Sequence, residues 1–256
     1  MRTCVLGSGS KGNATFVATD TVRVLFDAGL SCRQIKRRLE SIGEDIRALD
    51  AVIVSHEHSD HVRGLEVLAR QTGVRIFATP LTAARLSWIN STPELATFEA
   101  GRRFVIGDLE IETFTVSHDA IDPVGFCVRN NGCKISIATD LGYITDSVRY
   151  HLASSELLVI ESNHDLEMLK SGPYPWELKQ RVMSRDGHLS NTAVAEYLAS
   201  DWDRRARTIV LAHLSENNNH PAIAEMDARK AVDSVGADAT TIFVAEQQRP
   251  LPVVEL

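Results

Sequence analysis

The chain has 256 residues, of which 44% are hydrophobic and 24% charged, so it can bury a full core without disulfides or structural metals. Its net charge of −7 lacks the basic surplus usual in nucleic-acid-binding proteins, although bound divalent cations would offset part of it. None of the four cysteines belongs to a CxxC pair, which favours reduced thiols and a cytoplasmic protein. No apolar run reaches membrane-spanning length, and the N-terminus lacks the apolar core of a signal peptide.

The first half of the chain is rich in short β-prone runs separated by turn residues, beginning with RTCVLG, ATFVAT and VRVLFD. SCRQIKRRLESIG then has the apolar spacing and the following glycine of a helix. DAVIVS is a buried strand, and the segment after Asp60 is again helical. VRIFAT is a strand, and PLTAARLSWI opens on a proline, as first helical turns often do.

A second series of elements follows. RRFVIG, LEIETFTVS, GFCVRN, CKISIATD and ELLVIES are predicted strands, and PWELKQRVMS and NTAVAEYLAS are predicted helices. The strand RTIVLAH, the helix PAIAEMDARKAVDSV and the strand TTIFVAE complete the pattern. No linker marks a boundary, so we expect one domain over residues 1–256. This order predicts an α/β fold with two sheets face to face and helices outside both, an αβ/βα sandwich.

The stretch VIVSHEHSDH ends a predicted strand with His56, His58, Asp60 and His61. We place these residues on a loop at the carboxyl end of that strand, where binding sites often lie. Imidazole and carboxylate groups are ligands for borderline divalent ions such as zinc, manganese or iron. Residues two apart in an extended stretch point the same way, so His56 and His58 can hold one ion. Asp60 and His61 can face a second.

Three further strands end on ligand-type residues. His118 follows TFTVS, Asp140 ends ISIATD, and His213 follows TIVLA. A lone histidine at a strand end is usually an ordinary polar residue, but the dense loop and these three strand ends together predict one metal centre. Asp27, which closes VLFD, could orient the ligands from behind.

An HxHxDH stretch followed by a later His, Asp and His resembles the metallo-β-lactamase superfamily. The resemblance implies the four-layer αβ/βα sandwich of that superfamily and two divalent ions, zinc or manganese with iron as a third choice. The implied ligands form two groups and a bridge: His56, His58 and His118; Asp60, His61 and His213; and Asp140. Paired ions lower the pKa of a water molecule so that it can attack near neutral pH. We count Asp60 as catalytic as well as metal-binding.

Superfamily members cleave lactams, thioesters or phosphodiesters, so other residues must indicate the reaction. DGHLSN places His188 before a predicted helix. In the phosphodiesterase branch, which includes tRNase Z and PhnP-type enzymes, a histidine there is thought to contact the phosphate or protonate the leaving oxygen. ESNHD places Glu161 and His164 at a strand end, where Glu161 could support ligands and His164 could assist catalysis. The alternatives are a surface loop histidine for His188 and a hydrogen-bonding role for His164.

Polar and aromatic stretches could hold phosphate or nucleic acid. GSGSKGN could cradle a phosphate or be an ordinary hairpin turn, and HLSENNN follows the last predicted ligand. In KSGPYPWELKQR, aromatics beside cations could stack on bases, or the tryptophan could anchor its helix to the core. We predict such contacts for six residues: Ser10, Asn13, Ser215, Asn217, Asn218 and Trp176.

Longer stretches, among them LGSGSKGN, VSHEHSDHVRGL, ATDLGYIT and SNHDLEMLKSGPYPWELKQRVMSRDGHLSN, resemble the YycJ/WalJ family over nearly the whole chain. The family implies a metal-dependent exonuclease that acts on double-stranded DNA ends in the 5′→3′ direction, with no stable protein partner evident. The nearest alternative is a PhnP-type phosphodiesterase of cyclic or modified nucleotides. A thioesterase is disfavoured by His188, and a non-enzymatic scaffold by the complete ligand set. The residues themselves give neither polarity, metal identity nor oligomeric state.

Overall fold

A computed structural model describes residues 1–86, 88 and 94–256. The strands in this part of the chain are β1 (Arg2–Gly7), β2 (Ala14–Ala18), β3 (Arg23–Phe26), β4 (Ala51–Ile53), β5 (Arg75–Ala78), β6 (Leu95–Thr97), β7 (Arg103–Ile106), β8 (Leu109–Thr115), β9 (Val124–Asn130), β10 (Cys133–Ala138), β11 (Leu157–Glu161), β12 (Thr208–Ala212), β13 (Thr241–Val244) and β14 (Val254–Glu255). The helices are α1 (Cys32–Ser41), α2 (Ser59–Val62), α3 (Leu65–Thr72), α4 (Pro80–Arg85), α5 (Asp146–Leu152), α6 (Leu166–Ser171), α7 (Trp176–Val182), α8 (Asn191–Ser200) and α9 (Pro221–Ser234), with a 3₁₀ turn at Ile46–Ala48.

Local chemistry explains where several helices begin and end. Ser31 and Gln34 form a reciprocal capping box at the start of α1. Thr79 caps α4, whose first residue is Pro80. Gly73, in the left-handed conformation, ends α3. Ser87 and Ile89 of the predicted helix PLTAARLSWI lie outside the described residues.

The predicted strands are confirmed, and so are the predicted helices other than PLTAARLSWI. One correction concerns the segment that carries the first predicted ligands. Asp60 and His61 do not lie on a loop, because the short helix α2 begins at Ser59, directly after His58. Among the described residues, the sequence did not predict β6, β14, α5, α6 or the 3₁₀ turn at Ile46–Ala48.

The strands form two seven-stranded mixed sheets within the described residues. Their orders are β14-β1-β2-β3-β4-β5-β6 and β13-β12-β11-β10-β9-β8-β7. In the first sheet β3 to β6 are parallel, and in the second β10 to β13 are parallel. Strand β8 runs in the same direction as β10, because each pairs antiparallel with β9. The carboxyl ends of β8, β10, β11 and β12 therefore lie along the same side of the second sheet, which we call the shared edge.

Three apolar layers hold the sheets and helices together. One lies between the sheets, where the Phe26 and Phe126 rings meet at a centroid distance of 4.9 Å. A second joins the first sheet to α1 and α3 through residues such as Ile35 and Leu68. A third joins the second sheet to α5, α8 and α9 through residues such as Leu198. The predicted αβ/βα four-layer sandwich is thus confirmed.

The four cysteines are free, as their spacing predicts. Among the described residues, no helix combines the length and the apolarity that a bilayer crossing requires.

Candidate active site

Seven predicted ligand residues meet at the shared edge. They follow β4, β8, β10 and β12, the last three of which end at one side of the second sheet. The group comprises His56, His58, Asp60, His61, His118, Asp140 and His213.

The first cluster contains His56, His58 and His118, whose ligand atoms all lie within 4.8 Å of one another. His118 Nε2 is 3.2 Å from His58 Nδ1. On its other side, His118 Nδ1 is 3.2 Å from the carbonyl oxygen of Gly187, which orients the ring. Three converging imidazoles of this kind can hold one divalent ion.

The second cluster contains Asp60, His61 and His213 within the same limit. Asp60 Oδ2 lies 3.2 Å from His213 Nε2 and 3.6 Å from His61 Nε2. A carboxylate with two imidazoles is a second donor set for a divalent ion.

Asp140 lies between the two clusters. Its Oδ2 is 3.1 Å from His61 Nε2, and its Oδ1 is 3.7 Å from His118 Nε2. One carboxylate therefore faces a residue of each cluster, the position that a bridging ligand requires.

Asp27 contacts the segment that follows β4. Its Oδ1 accepts a hydrogen bond from the Ser55 backbone N–H and its Oδ2 one from Ser55 Oγ, both at 2.8 Å. Oδ2 is also 2.8 Å from His61 Nδ1. Asp27 thereby fixes the His61 ring so that Nε2 points into the centre.

Glu161 has the same role on the second sheet. Its Oε1 accepts from His188 Nδ1 at 2.7 Å and from His213 Nδ1 at 2.8 Å. Its Oε2 accepts from the backbone N–H groups of Leu141 and Leu189 at 3.0 and 3.2 Å. The side chain is fully buried, and it links a histidine of the second cluster to His188.

The backbone is bent sharply at three of these positions. Asp27, Asp140 and His213 have φ values of 61°, 58° and 57°, a left-handed conformation that costs a non-glycine residue about 1–3 kcal/mol. The backbone is also tightly packed at Gly29, where a Cβ would lie 1.6 Å from the backbone oxygen of Asp60. The inward direction of the Asp27, Asp140 and His213 side chains therefore comes with a loss of folding stability.

Two buried ligand atoms show that the centre fits a cation. His56 Nε2 makes no hydrogen bond within the described part of the chain, although it is shielded from solvent. Asp140 Oδ2 is shielded as well, and its 3.1 Å contact with His61 Nε2 lacks the alignment of a hydrogen bond. Buried polar atoms are almost always satisfied, and an ion is one of the few explanations for a pair of exceptions at one point. The centroids of the His56 and His61 rings are also only 4.1 Å apart. The nitrogen and oxygen donors suit divalent metal binding.

The charges lead to the same conclusion. Burial, reinforced by His61, holds the pKa of His56 well below its usual value, which leaves its nitrogen free to ligate. Burial also opposes protonation of His61, but Asp140 and Asp27 outweigh it and raise the pKa well above normal. For Asp140, burial opposes ionisation, whereas His213 and His61 hold the pKa well below normal. The carboxylates thus attract positive charge, which protons supply where no metal is bound.

A cavity of about 250 Å³ opens over this centre. His188 lines it, half-buried, with Nδ1 held by Glu161. Burial opposes protonation of His188, but Glu161 outweighs it and raises the pKa. An imidazole held in this way can donate a proton into the cavity.

The structure does not bring His164 to the cavity wall. Its side chain is 1% exposed, and its Nδ1 has no hydrogen-bond partner among the residues that the structure describes. Burial lowers its pKa to about 4. The neighbouring Asn163 lines the cavity instead, because successive side chains at a strand end point in opposite directions.

The residues predicted to contact phosphate or nucleic acid lie in three places: in the cavity wall, behind it and outside it. Ser10, Ser215 and Asn218 line the cavity. Asn13 is buried behind it, with Nδ2 3.2 Å from His61 Nε2 and 3.4 Å from the Asp60 carboxylate.

Asn217 and Trp176 lie outside this wall. Asn217 donates to the Tyr174 hydroxyl at 3.3 Å, and Tyr174 itself lines the cavity. Trp176 is 59% exposed, so it does not anchor α7 in the core.

Asp119 lines the cavity although no sequence pattern indicated it, and beside it lies Arg181, one of the cations of the KSGPYPWELKQR stretch. Arg181 Nε donates to Asp119 Oδ2 at 2.5 Å, across 62 positions of sequence. Asp119 directly follows a predicted ligand, but nothing in the sequence links it to an arginine so far away.

Comparisons with known proteins agree with this architecture. A family model described as the beta-lactamase superfamily domain matches residues 22–214. Exodeoxyribonuclease YycJ of Bacillus anthracis is 37% identical over 249 residues, covering 96% of this chain and 94% of that protein. Exodeoxyribonuclease WalJ of Streptococcus pneumoniae strain D39 is 38% identical, covering 87% of this chain and 84% of that protein.

Solved structures show the same fold. The metallo-β-lactamase fold protein YhfI from Bacillus subtilis has a TM-score of 0.74 at 15% identity, covering 98% of each chain. The short form of human tRNase Z has a TM-score of 0.67 at 17% identity, covering all of both chains. The chain belongs to the metallo-β-lactamase superfamily and, within it, to the family of the exodeoxyribonucleases YycJ and WalJ.

Proposed function

We propose that the chain is a dinuclear metal-dependent nuclease that degrades double-stranded DNA from an end in the 5′→3′ direction. The observation that carries the proposal is the convergence of two histidine-rich clusters on Asp140, beside a histidine held by Glu161. Identities of 37–38% to proteins named exodeoxyribonucleases support DNA as the substrate. Free, mostly buried cysteines accord with a cytoplasmic location.

In this proposal each cluster would hold one divalent ion, zinc or manganese with iron as a third choice, and Asp140, which lies between the clusters, would serve both. When bound, two such ions stabilise charge on the phosphate and lower the pKa of a water molecule enough for hydrolysis near neutral pH. Asp60 serves catalysis by contributing a carboxylate at the cavity. Asp27 and Glu161 hold His61 and His213 by their Nδ1 atoms, so that both present Nε2.

His188 supplies the proton that the leaving oxygen needs. Glu161 occupies Nδ1, so Nε2 is the ring nitrogen available to the substrate. Glu161 also favours the protonated ring, which makes His188 a general acid near neutral pH. His164 has no such access, and we assign it no contact with the substrate.

The cavity wall and its rim provide substrate contacts. Ser10, Ser215 and Asn218 bring hydroxyl and amide groups that can donate to phosphate oxygens. Asn13 acts from behind by holding the start of α2, where its backbone N–H donates to the Asp60 carbonyl at 2.8 Å. On the rim, Asn217 steadies Tyr174, and both can contact the strand.

Trp176 lies at the first position of α7, the helix whose Leu178 and Val182 line the cavity. Its exposed ring can stack on a base of the strand that leaves the active site.

A second candidate, a phosphodiesterase of cyclic or modified nucleotides, is favoured by one observation. The cavity of about 250 Å³ is small enough for a single nucleotide, as such a substrate requires. A duplex end would also place one nucleotide there, so cavity size does not separate the two functions.

One experiment separates them. The chain is stripped of metal, reloaded with manganese or zinc, and incubated with linear duplex DNA labelled at the 5′ or the 3′ end. A closed circular duplex and a chromogenic phosphodiester run in parallel, and Asp140→Asn serves as the inactive control. We expect early release of the 5′ label as mononucleotide, with the circle intact. Turnover of the small diester alone would refute the DNA assignment and favour the second candidate.

A further inference from the structure

The charge of the cavity wall is unevenly distributed. Three carboxylates line it: Asp60, Asp119 and Asp140. Among the described lining residues, Arg181 is the one arginine or lysine. A guanidinium stays charged at any physiological pH, unlike the histidines around it.

Arg181 is held at the rim rather than free in solvent. Its Nε and Nη2 both contact Asp119 Oδ2. Asp119 in turn lies beside the first cluster, with Oδ1 3.5 Å from His118 Nε2. Its backbone N–H donates to the Asp186 carbonyl at 3.1 Å. This anchoring fixes the guanidinium next to the catalytic centre.

The other edge of the guanidinium remains available. Nη1 makes no hydrogen bond to any residue that the structure describes, and the side chain of Arg181 is 61% exposed. A planar guanidinium that uses one edge for a carboxylate can offer its remaining N–H groups to a phosphate.

The number of phosphates in the substrate decides whether this edge is needed. In the proposed centre, bound metal ions would neutralise the scissile phosphate, which is the one phosphate of a small diester. A polynucleotide brings a further phosphate with each nucleotide, and the carboxylates of the wall repel it unless a cation intervenes.

We propose that Arg181 is a specificity-determining residue, whose Nη1 edge binds the phosphate next to the scissile one. It thereby favours polynucleotides over small phosphodiesters. The inference rests on the proposed nuclease function and deepens it. The simpler alternative is that Arg181 only neutralises Asp119, in which case both substrate classes would suffer equally from its loss.

The test compares Arg181→Gln and Arg181→Lys with a matched control, Arg185→Gln. Arg185→Gln removes the same charge at a position three residues beyond α7. The Arg185 guanidinium lies 5.0 Å from the centroid of the Tyr143 ring, and Arg185 does not line the cavity. The manganese-loaded chains are assayed on linear duplex DNA over a range of salt concentrations, and on a chromogenic phosphodiester.

For Arg181→Gln we expect kcat/KM on DNA to fall about tenfold, mainly through a higher KM. A fall of this size corresponds to the loss of one charge-assisted hydrogen bond to phosphate. The salt dependence, as the slope of log kcat/KM against log salt, should weaken by about 0.7–0.9. The loss on the small diester should be several-fold smaller. Arg181→Lys should recover part of the DNA activity, and Arg185→Gln should match the unaltered chain.

Equal losses on both substrates, or a salt slope unchanged in Arg181→Gln while the unaltered chain degrades DNA, would overturn the role of Arg181 alone. If the unaltered chain hydrolyses only the small diester, and duplex DNA does not compete with it, the nuclease proposal falls and this inference with it.

Discussion

Glu161 connects the proposed metal centre to the proposed general acid, and its replacement by glutamine tests both. Although burial opposes its ionisation, His188 and His213 hold the pKa of Glu161 at about 2, so the side chain is a carboxylate at neutral pH. It accepts four hydrogen bonds, two from those histidines and two from the backbone of Leu141 and Leu189. Glutamine has nearly the same shape but replaces one acceptor by a donor.

Neither orientation of the amide satisfies all four partners. If its NH₂ group faces Leu141 and Leu189, two buried N–H donors lose their acceptor, at about 1–3 kcal/mol each. If it faces the histidines, their Nδ1 atoms must accept, and the proton moves to Nε2, the atom with which His213 would ligate. In either orientation the histidines lose the negative charge that makes His213 a stronger ligand, so we expect Glu161→Gln to weaken metal binding at the second cluster roughly 10–100-fold. The metal-free chain should lose about 2–6 kcal/mol of stability if the first orientation prevails.

Metal affinity is measured by calorimetric titration of the stripped chain, and stability by denaturant unfolding in a chelator. Glu156→Gln is the matched control, because Glu156 precedes the other end of β11, where it accepts from Lys134 N at 2.7 Å and pairs with Arg205. That variant should lose stability but keep its metal affinity. If Glu161→Gln binds metal as tightly as the unaltered chain, Glu161 does not support the centre.

Three further predictions concern single residues. His188→Gln should lower kcat on DNA by about 10²–10⁴ while the metal content measured by mass spectrometry stays constant, and the loss should shrink on a diester whose leaving group needs no proton. Gly29→Ala should displace the Asp60 backbone, because the new Cβ would lie 1.6 Å from the Asp60 carbonyl oxygen. Metal content and activity should fall together, and the free energy of unfolding should drop by about 1–3 kcal/mol. His164 has a folded pKa of about 4 against an ordinary 6.5, so the folded state should lose up to about 3 kcal/mol as the pH falls through that window, and His164→Gln should flatten the curve.

The sign of the His164 effect follows from proton binding. Between pH 6.5 and 4 the unfolded chain holds a proton on this ring and the folded chain does not, so acid favours unfolding. An unchanged pH profile in His164→Gln would contradict the burial argument. Full DNA activity in His188→Gln would rule out the acid role. Gly29→Ala with normal metal content would show that the Asp60 backbone in α2 tolerates displacement.

The ligand set could be predicted from sequence because each ligand group follows a strand. His118, Asp140 and His213 converge because β8, β10 and β12 run in the same direction, although no two of these strands are neighbours in the sheet. The sequence showed that each residue follows a strand, but the common direction of the strands had to come from the structure. Asp27 also follows a strand, and it contacts Ser55 and His61, while its role in orienting the ligands stays a prediction.

Features that depend on side-chain direction or on distant pairing could not be predicted. Which of Asn163 and His164 faces the cavity depends on where β11 stops, and a shift of one residue reverses the answer. The contact between Asp119 and Arg181 joins parts of the chain with no common motif. The exposure of Trp176 could not be decided either, since its stretch suits both a core anchor and a surface aromatic.

The most direct test of the central claim is a titration of the metal-stripped chain with manganese, in which hydrolysis of 5′-labelled linear duplex DNA is followed at each step. If two clusters joined by Asp140 form one catalytic centre, activity should remain low at one equivalent and rise to its plateau at two. Asp140→Asn should stay inactive throughout. Full activity at one equivalent, or activity that is independent of added metal, would contradict a dinuclear centre.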